Sequence, residues 1–160
     1  MKAFTYATAY MEKTCPTLMA WLNPRLKMPV RLFRYYVTPP RGQSGIHIDG
    51  SDPSLPFGLN IPVAGSKNTY HTFYDTDPDN LMKFNGGNEG FYAAMLPIDN
   101  NKLTVLEEIE VLTPYVMNNS VLHGVRSESD DYRIMFTIRW PYHETMWRNV
   151  DEVLDTTGMF

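Results

Sequence analysis

Cysteine is nearly absent: Cys15 is alone in 160 residues. That excludes an internal disulfide framework and any zinc site built on cysteine thiolates. Long apolar runs are missing too, and none approaches the roughly 20 residues of a membrane-spanning helix. The N-terminus carries one lysine and then mixed polar and aromatic residues, without the apolar segment of a secretory leader. The net charge of −4 is small, and gives no sign of nucleic-acid or anionic-membrane binding. No internal repeat and no low-complexity tract is present. Together these absences predict one soluble, cytoplasmic domain spanning residues 1–160, long enough to bury a real core.

Proline and glycine are plentiful instead, twelve and ten residues scattered along the chain. They disfavour long helices and favour short strands joined by turns. Residues 3–22 read as helix, interrupted or restarted at Pro16, with Tyr10, Leu18, Trp21 and Leu22 as an apolar stripe. This gives a helical segment over 1–28. About eight short strands are then expected within 30–140, among them 30–38, 57–63, 69–74, 115–118, 121–125 and 133–140. The last is the cleanest, with Arg133, Met135, Thr137 and Arg139 on one face and Ile134, Phe136, Ile138 and Trp140 on the other. Residues 75–90, rich in Asp, Asn and Gly, read as a surface insertion. Residues 143–160 read as a C-terminal amphipathic helix and tail. Many short strands with turn signals favour a sandwich or barrel.

Gly45-Ile46-His47-Ile48-Asp49-Gly50 carries the chemistry. On a strand, His47 and Asp49 leave the same face and make a ready pair of metal ligands. The flanking glycines are expected to let the strand pass tightly beside the metal. His123 is the candidate third ligand. Two histidines and a carboxylate on one face of an ion leave positions open, which suits non-haem Fe(II) and is also acceptable to zinc. Arg133 separates the two. It lies ten residues after His123, where a hairpin across the 127–131 turn returns it beside the histidine. A buried guanidinium needs an anionic partner, and a metal-bound dicarboxylate supplies one through a bidentate pair.

This ordered set resembles the Fe(II)- and 2-oxoglutarate-dependent oxygenases: His-x-Asp, a distal His, and an Arg about ten residues on. The surroundings are similar to small microbial and phage-type members akin to aspartyl/asparaginyl and prolyl hydroxylases. They are Leu59-Asn60-Ile61-Pro62, Asn68-Thr69 through Phe73-Tyr74, Asn118 and Asn119 with His123-Gly124-Val125, and Arg133-Ile134 through Arg139-Trp140. The resemblance covers residues 30–140. It implies a mainly β, double-stranded β-helix (jelly-roll, cupin-like) core flanked by the helices. It implies Fe(II) on His47, Asp49 and His123, with 2-oxoglutarate held by Arg133. Asn60 and Thr137 are implied as further co-substrate contacts. The implied reaction uses O2 to hydroxylate a C–H bond of an amino acid, peptidyl residue or small metabolite.

Other residues carry weaker expectations. Arg139 is a candidate substrate contact with a competing reading as a structural ion pair, Arg41 is a candidate contact to an anionic substrate, and Tyr36 and Tyr74 are possible pocket aromatics or plain core. His71 reads as a strand residue outside the metal shell, and His143 as surface. Arg133 has a competing reading as a strand-start arginine paired with Asp130 or Asp131. Two other functions are compatible with the pattern: a non-catalytic jelly-roll binding module, and a cupin-type enzyme using zinc or another ion without 2-oxoglutarate.

Overall fold

The structure is a computed structural model that describes residues 2–30, 32–48, 57–85, 93–140, 154, 155 and 157. Its elements run β1 (Lys2–Tyr6), α1 (Thr8–Thr14), α2 (Pro16–Leu22), β2 (Leu32–Thr38), β3 (Phe57–Ala64), β4 (Thr69–Asp75), β5 (Leu81–Asn85), β6 (Ala93–Pro97), β7 (Thr104–Glu110), β8 (Tyr115–Asn118), β9 (Leu122–Ser127) and β10 (Arg133–Arg139). One sheet has the order β1-β2-β10-β3-β8 and a second the order β7-β4-β9, while β5 and β6 form a separate hairpin. All pairings are antiparallel.

Two expectations are corrected. Residues 2–6 are an edge strand against β2 rather than the start of a helix. Phe4, Thr5 and Tyr6 favour the pleated surface, and pairing with β2 overrides the helical reading. The helices start only at Thr8, and the second restarts with Pro16 in its first turn, where the missing N–H costs nothing. The 75–90 stretch is not all loop, because residues 81–85 form β5 and pair with β6. Residues 86–92, and the 141–153 stretch containing most of the expected C-terminal helix, lie outside the described residues. Leu154 bridges back to Leu26.

The apolar core sits on one side of the five-stranded sheet. Phe33, Leu59, Phe136, Ile138 and Trp140 pack against Met11, Met19 and Leu22 of the helices and against Leu154. Phe33 and Phe136 stack with ring centroids 5.6 Å apart. This follows from the alternation in β10: Phe136 and Ile138 leave one face, and Arg133, Met135, Thr137 and Arg139 leave the other. All six are buried. The face turned toward the second sheet is therefore buried but polar. It carries Arg34, Asn60 and Tyr115 on neighbouring strands in register with β10 and β3.

Two backbone irregularities shape this arrangement. The β10–β3 register shifts between Ile134 and Met135, so that Ala64 and Pro62 face consecutive residues of β10. A proline inside a strand is tolerated at such an irregularity because its absent N–H is not required there. Gly65 then turns the chain toward β4 with φ 61°, and a Cβ at this position would lie 2.1 Å from the Tyr132 carbonyl oxygen. Only glycine meets both conditions.

Because the helix-side layer carries the apolar burial, Phe136→Ala should destabilise the protein by about 3–5 kcal/mol, read as a lowered urea midpoint. Thr104→Ala, at an exposed end of the edge strand β7, should stay within about 0.5 kcal/mol.

Candidate metal and anion site

Residues 42–47 run beside β9 as a broken outer strand of the second sheet. Ser44 N–H donates to the Val125 carbonyl at 2.8 Å, and Ser127 N–H donates to the Gly42 carbonyl at 2.9 Å. At the end of this run His47 and His123 exchange both backbone hydrogen bonds, at 2.8 and 2.9 Å. Residues paired in this way point to the same face, and the two imidazoles lie with centroids 4.6 Å apart. Across β9, Phe73 faces His123 and His71 faces Val125. The inner face of the second sheet thus collects His47, His123, Phe73 and His71.

The orientation of both rings is set locally. His47 Nδ1 lies 2.7 Å from the Gly45 carbonyl oxygen, and His123 Nδ1 lies 2.7 Å from the Val121 carbonyl oxygen. A carbonyl only accepts, so each Nδ1 carries the proton. In a neutral ring the lone pair then sits on Nε2, the arrangement of a metal-binding histidine whose other nitrogen is held by a carbonyl. Asp49, the expected carboxylate ligand, lies outside the described residues. Among the described residues, no three His, Cys, Asp or Glu side chains group closely enough to hold a metal by themselves. Gly45 does not have the role expected of it, since a Cβ there would meet nothing within 4 Å.

Opposite the histidines, β10, β3, β8 and β2 present Arg133, Arg139, Asn60, Tyr115, Met117 and Tyr36. Residues of both sheets line one pocket that is open to solvent. Arg133 is 3% exposed, and its Nε has no hydrogen-bond partner among the described residues. Burial lowers its pKa from the ordinary value, opposed by Tyr115. The competing surface reading of Arg133 fails, because Asp130 pairs with Arg41 at 2.7 Å and both lie exposed. The same contact corrects the expectation for Arg41. It is a surface residue held by Asp130, at φ 52°, and is not part of the pocket lining.

Asn60 lines the pocket, but Thr137 does not. The Thr137 hydroxyl donates to Asn60 Oδ1 at 2.6 Å, so Thr137 orients the asparagine rather than offering its own hydroxyl to a ligand. That bond commits the amide oxygen and leaves the Asn60 NH2 group on the other side, 3.8 Å from Met117 Sδ. Arg139 and Tyr36 line the pocket, whereas Tyr74 does not. His143 lies outside the described residues.

Two lining residues were not anticipated as site members. His71, a strand residue outside the expected metal shell, lines the pocket with its ring 5.2 Å from that of His123. Its Nδ1 is 2.5 Å from the Tyr115 hydroxyl, which makes a polar strut between the two sheets. Burial pushes the Tyr115 phenol up to about 12, against the opposing pull of Arg133, Asn60 and Arg139. The pairing of His71 with Tyr115 joins positions 44 residues apart, and no local pattern announces it. The available signal was register alone: His71 shares its strand face with Phe73, and Tyr115 is set opposite Asn60.

No protein-family model matches the sequence, and no curated protein sequence matches it. Solved structures do resemble the fold. E. coli ycfD aligns over 89% of this chain and 34% of its own, with a TM-score of 0.52 at 12% identity. The Cellulomonas parahominis L-ribose isomerase aligns over 92% of this chain and 65% of its own, with a TM-score of 0.45 at 16% identity. A protein from Klebsiella pneumoniae described by its double-stranded β-helix domain aligns over 70% of this chain and 68% of its own, with a TM-score of 0.37 at 11% identity. The chain spans about a third of the length of ycfD and just under two thirds of the isomerase. The architecture is that of the double-stranded β-helix, or jelly-roll, proteins. Among the described residues no helix is long and apolar enough to cross a membrane.

Tyr115 yields a pH prediction. Its pKa is about 12 in the folded chain against 10.0 as the ordinary value. Between these values the unfolded chain releases the proton first, so alkali favours unfolding. Stability should be fully present below pH 10 and decline by roughly 2 kcal/mol as pH approaches 12. Tyr115→Phe should remove that part of the slope in urea melts taken across the range.

Proposed function

We propose that this protein is an Fe(II)- and 2-oxoglutarate-dependent dioxygenase that hydroxylates a C–H bond of an amino acid, peptidyl residue or small metabolite. One observation carries the reading: His47 and His123 share an inner face and line one pocket together with the buried guanidinium of Arg133. The ordered resemblance of the motifs supports it.

The donor set fits the group. His47 and His123 would hold Fe(II) together with Asp49, the carboxylate two residues beyond His47. Arg133 would hold the distal carboxylate of 2-oxoglutarate through a charge-assisted, bidentate pair. Bound iron and 2-oxoglutarate supply the O2-activating redox chemistry that side chains lack.

The chain's own residues do the rest. The carbonyls of Gly45 and Val121 keep each Nδ1 protonated, so both imidazoles meet a cation as neutral ligands. Arg133, already desolvated, pairs with a carboxylate more strongly than an exposed arginine does. Thr137 fixes Asn60, whose NH2 group lies against Met117 Sδ beside the pocket. Tyr115, protonated at neutral pH, links the two sheets through His71 and keeps the mouth from spreading. Met117, Met135 and Val125 supply apolar walls that limit water.

Succinate formation should require both Fe(II) and 2-oxoglutarate and should fall at least 100-fold in His47→Ala, since losing a ligand should exceed the roughly 10–100-fold cost of losing one of its outer-shell partners. Full turnover in that variant, or stoichiometric zinc with no effect of 2-oxoglutarate, sinks the reading. Zinc in that form would favour the cupin-type alternative, and protein purified anaerobically with no affinity for either ligand would favour the binding module. Arg133→Met gives a separate check. Relieved of a buried cation, the ligand-free variant should gain about 1–2 kcal/mol in stability. The thermal shift that 2-oxoglutarate and Mn(II) give the parent protein should disappear.

A further inference from the structure

β1 leaves one edge of the five-stranded sheet open. It pairs with β2 without a register shift, and among the described residues no strand adds to its other side. Edge strands are ordinarily blunted by charge, proline or a bulge. β1 has no proline and no bulge, and its one charge is Lys2, at the very end. Lys2, Ala3, Phe4 and Thr5 are all exposed. The edge strand β7 of the second sheet is different: Glu107, Glu108 and Glu110 bring like charges to any pairing with a second copy.

The apolar layer under the helices runs out through the open edge of β1. Aromatic rings follow one another from the core: Phe33 to Phe136 at 5.6 Å, Phe136 to Tyr35 at 4.9 Å, Tyr35 to Tyr6 at 6.0 Å and Tyr6 to Tyr10 at 5.0 Å. Phe4 faces Tyr35 in register and leaves the same side of its strand as Tyr6. The row ends on Phe4 and Tyr10, which are 46% and 52% exposed. A packed layer that stops at exposed rings beside an unpaired strand is suited to continuation by a layer of the same kind.

We propose that β1 pairs antiparallel with β1 of a second copy of this chain across a two-fold axis, which joins two five-stranded sheets into one. Full overlap of the strand with itself puts the axis at Phe4, so Phe4 faces its own counterpart with Cβ atoms about 5 Å apart. Lys2 then faces the partner's Tyr6, whose ring accepts a cation, and Ala3 faces the partner's Thr5. No charge meets its like in this register, and the aromatic row of one copy continues into the other. A five-residue strand is only about 17 Å long. The interface therefore belongs to the small, reversible class, with a dissociation constant on the order of 10–100 µM.

The test is sedimentation of the full chain from about 1 µM to about 1 mM, a range that brackets such an affinity. The expected result is a concentration-dependent passage from one chain to two. Phe4→Lys and Phe4→Glu should each weaken association at least tenfold, because each sets like charges face to face on the axis. Mixed in equal amounts, the two variants should associate at least tenfold more tightly than either does alone, which a merely misfolded variant cannot do. In the unaltered protein, amide exchange at residues 2–6 should slow as concentration rises, a readout that needs no substitution. A parent protein that stays single at the highest concentration overturns the proposal, including the case in which β1 accepts a different protein instead. A dimer that Phe4→Lys leaves intact overturns it, as does one whose amide protection falls elsewhere than on residues 2–6. Failure of the mixed variants to associate overturns the axis at Phe4.

Discussion

The contact on which the rest depends is the packing of α1 and α2 on the outer face of the five-stranded sheet. A two-sheet sandwich ordinarily buries its apolar residues between the sheets. Here Phe33, Leu59, Phe136, Ile138 and Trp140 turn outward and meet Met11, Met19 and Leu22 instead. With apolar burial supplied there, the space between the sheets is released from the duty of holding them together. It is occupied by histidines, arginines, an asparagine and a tyrosine, groups that are costly to bury unless they are paired or reserved for a ligand.

The polar interior is organised by register more than by proximity in sequence. The exchange of backbone bonds between His47 and His123 fixes two rings on one face. The alternation of β10 brings Arg133 to the same space from the other sheet, and the His71–Tyr115 bond sets the distance between the layers. Each relation joins positions far apart in the chain.

Much of this was legible beforehand. The two faces of residues 133–140 could be read residue by residue, since period-two alternation is a local property. The association of His47 with His123 and Arg133 followed from motif order and spacing. The strand at residues 2–6 was not legible, because its aromatic residues fit an amphipathic helix as well as an edge strand until β2 is there to pair with. Arg41 was misplaced for a related reason: nearness to His47 in sequence suggested the pocket, whereas its left-handed backbone turns it toward Asp130. His71 and Tyr115 escaped notice because their partnership crosses between sheets, and a one-residue change of register would have pointed either one away.

The hydrogen bonds that hold the two histidine rings come from the carbonyls of Gly45 and Val121, each two residues before the histidine it orients. In many metal sites that duty falls to a carboxylate side chain, which a single substitution can erase. Here it falls to the main chain, which every amino acid carries. The two rings keep their tautomer and orientation whatever side chains occupy positions 45 and 121. The heritable part of the site shrinks to a few side chains, and the walls around them are left free to vary with the molecule they admit.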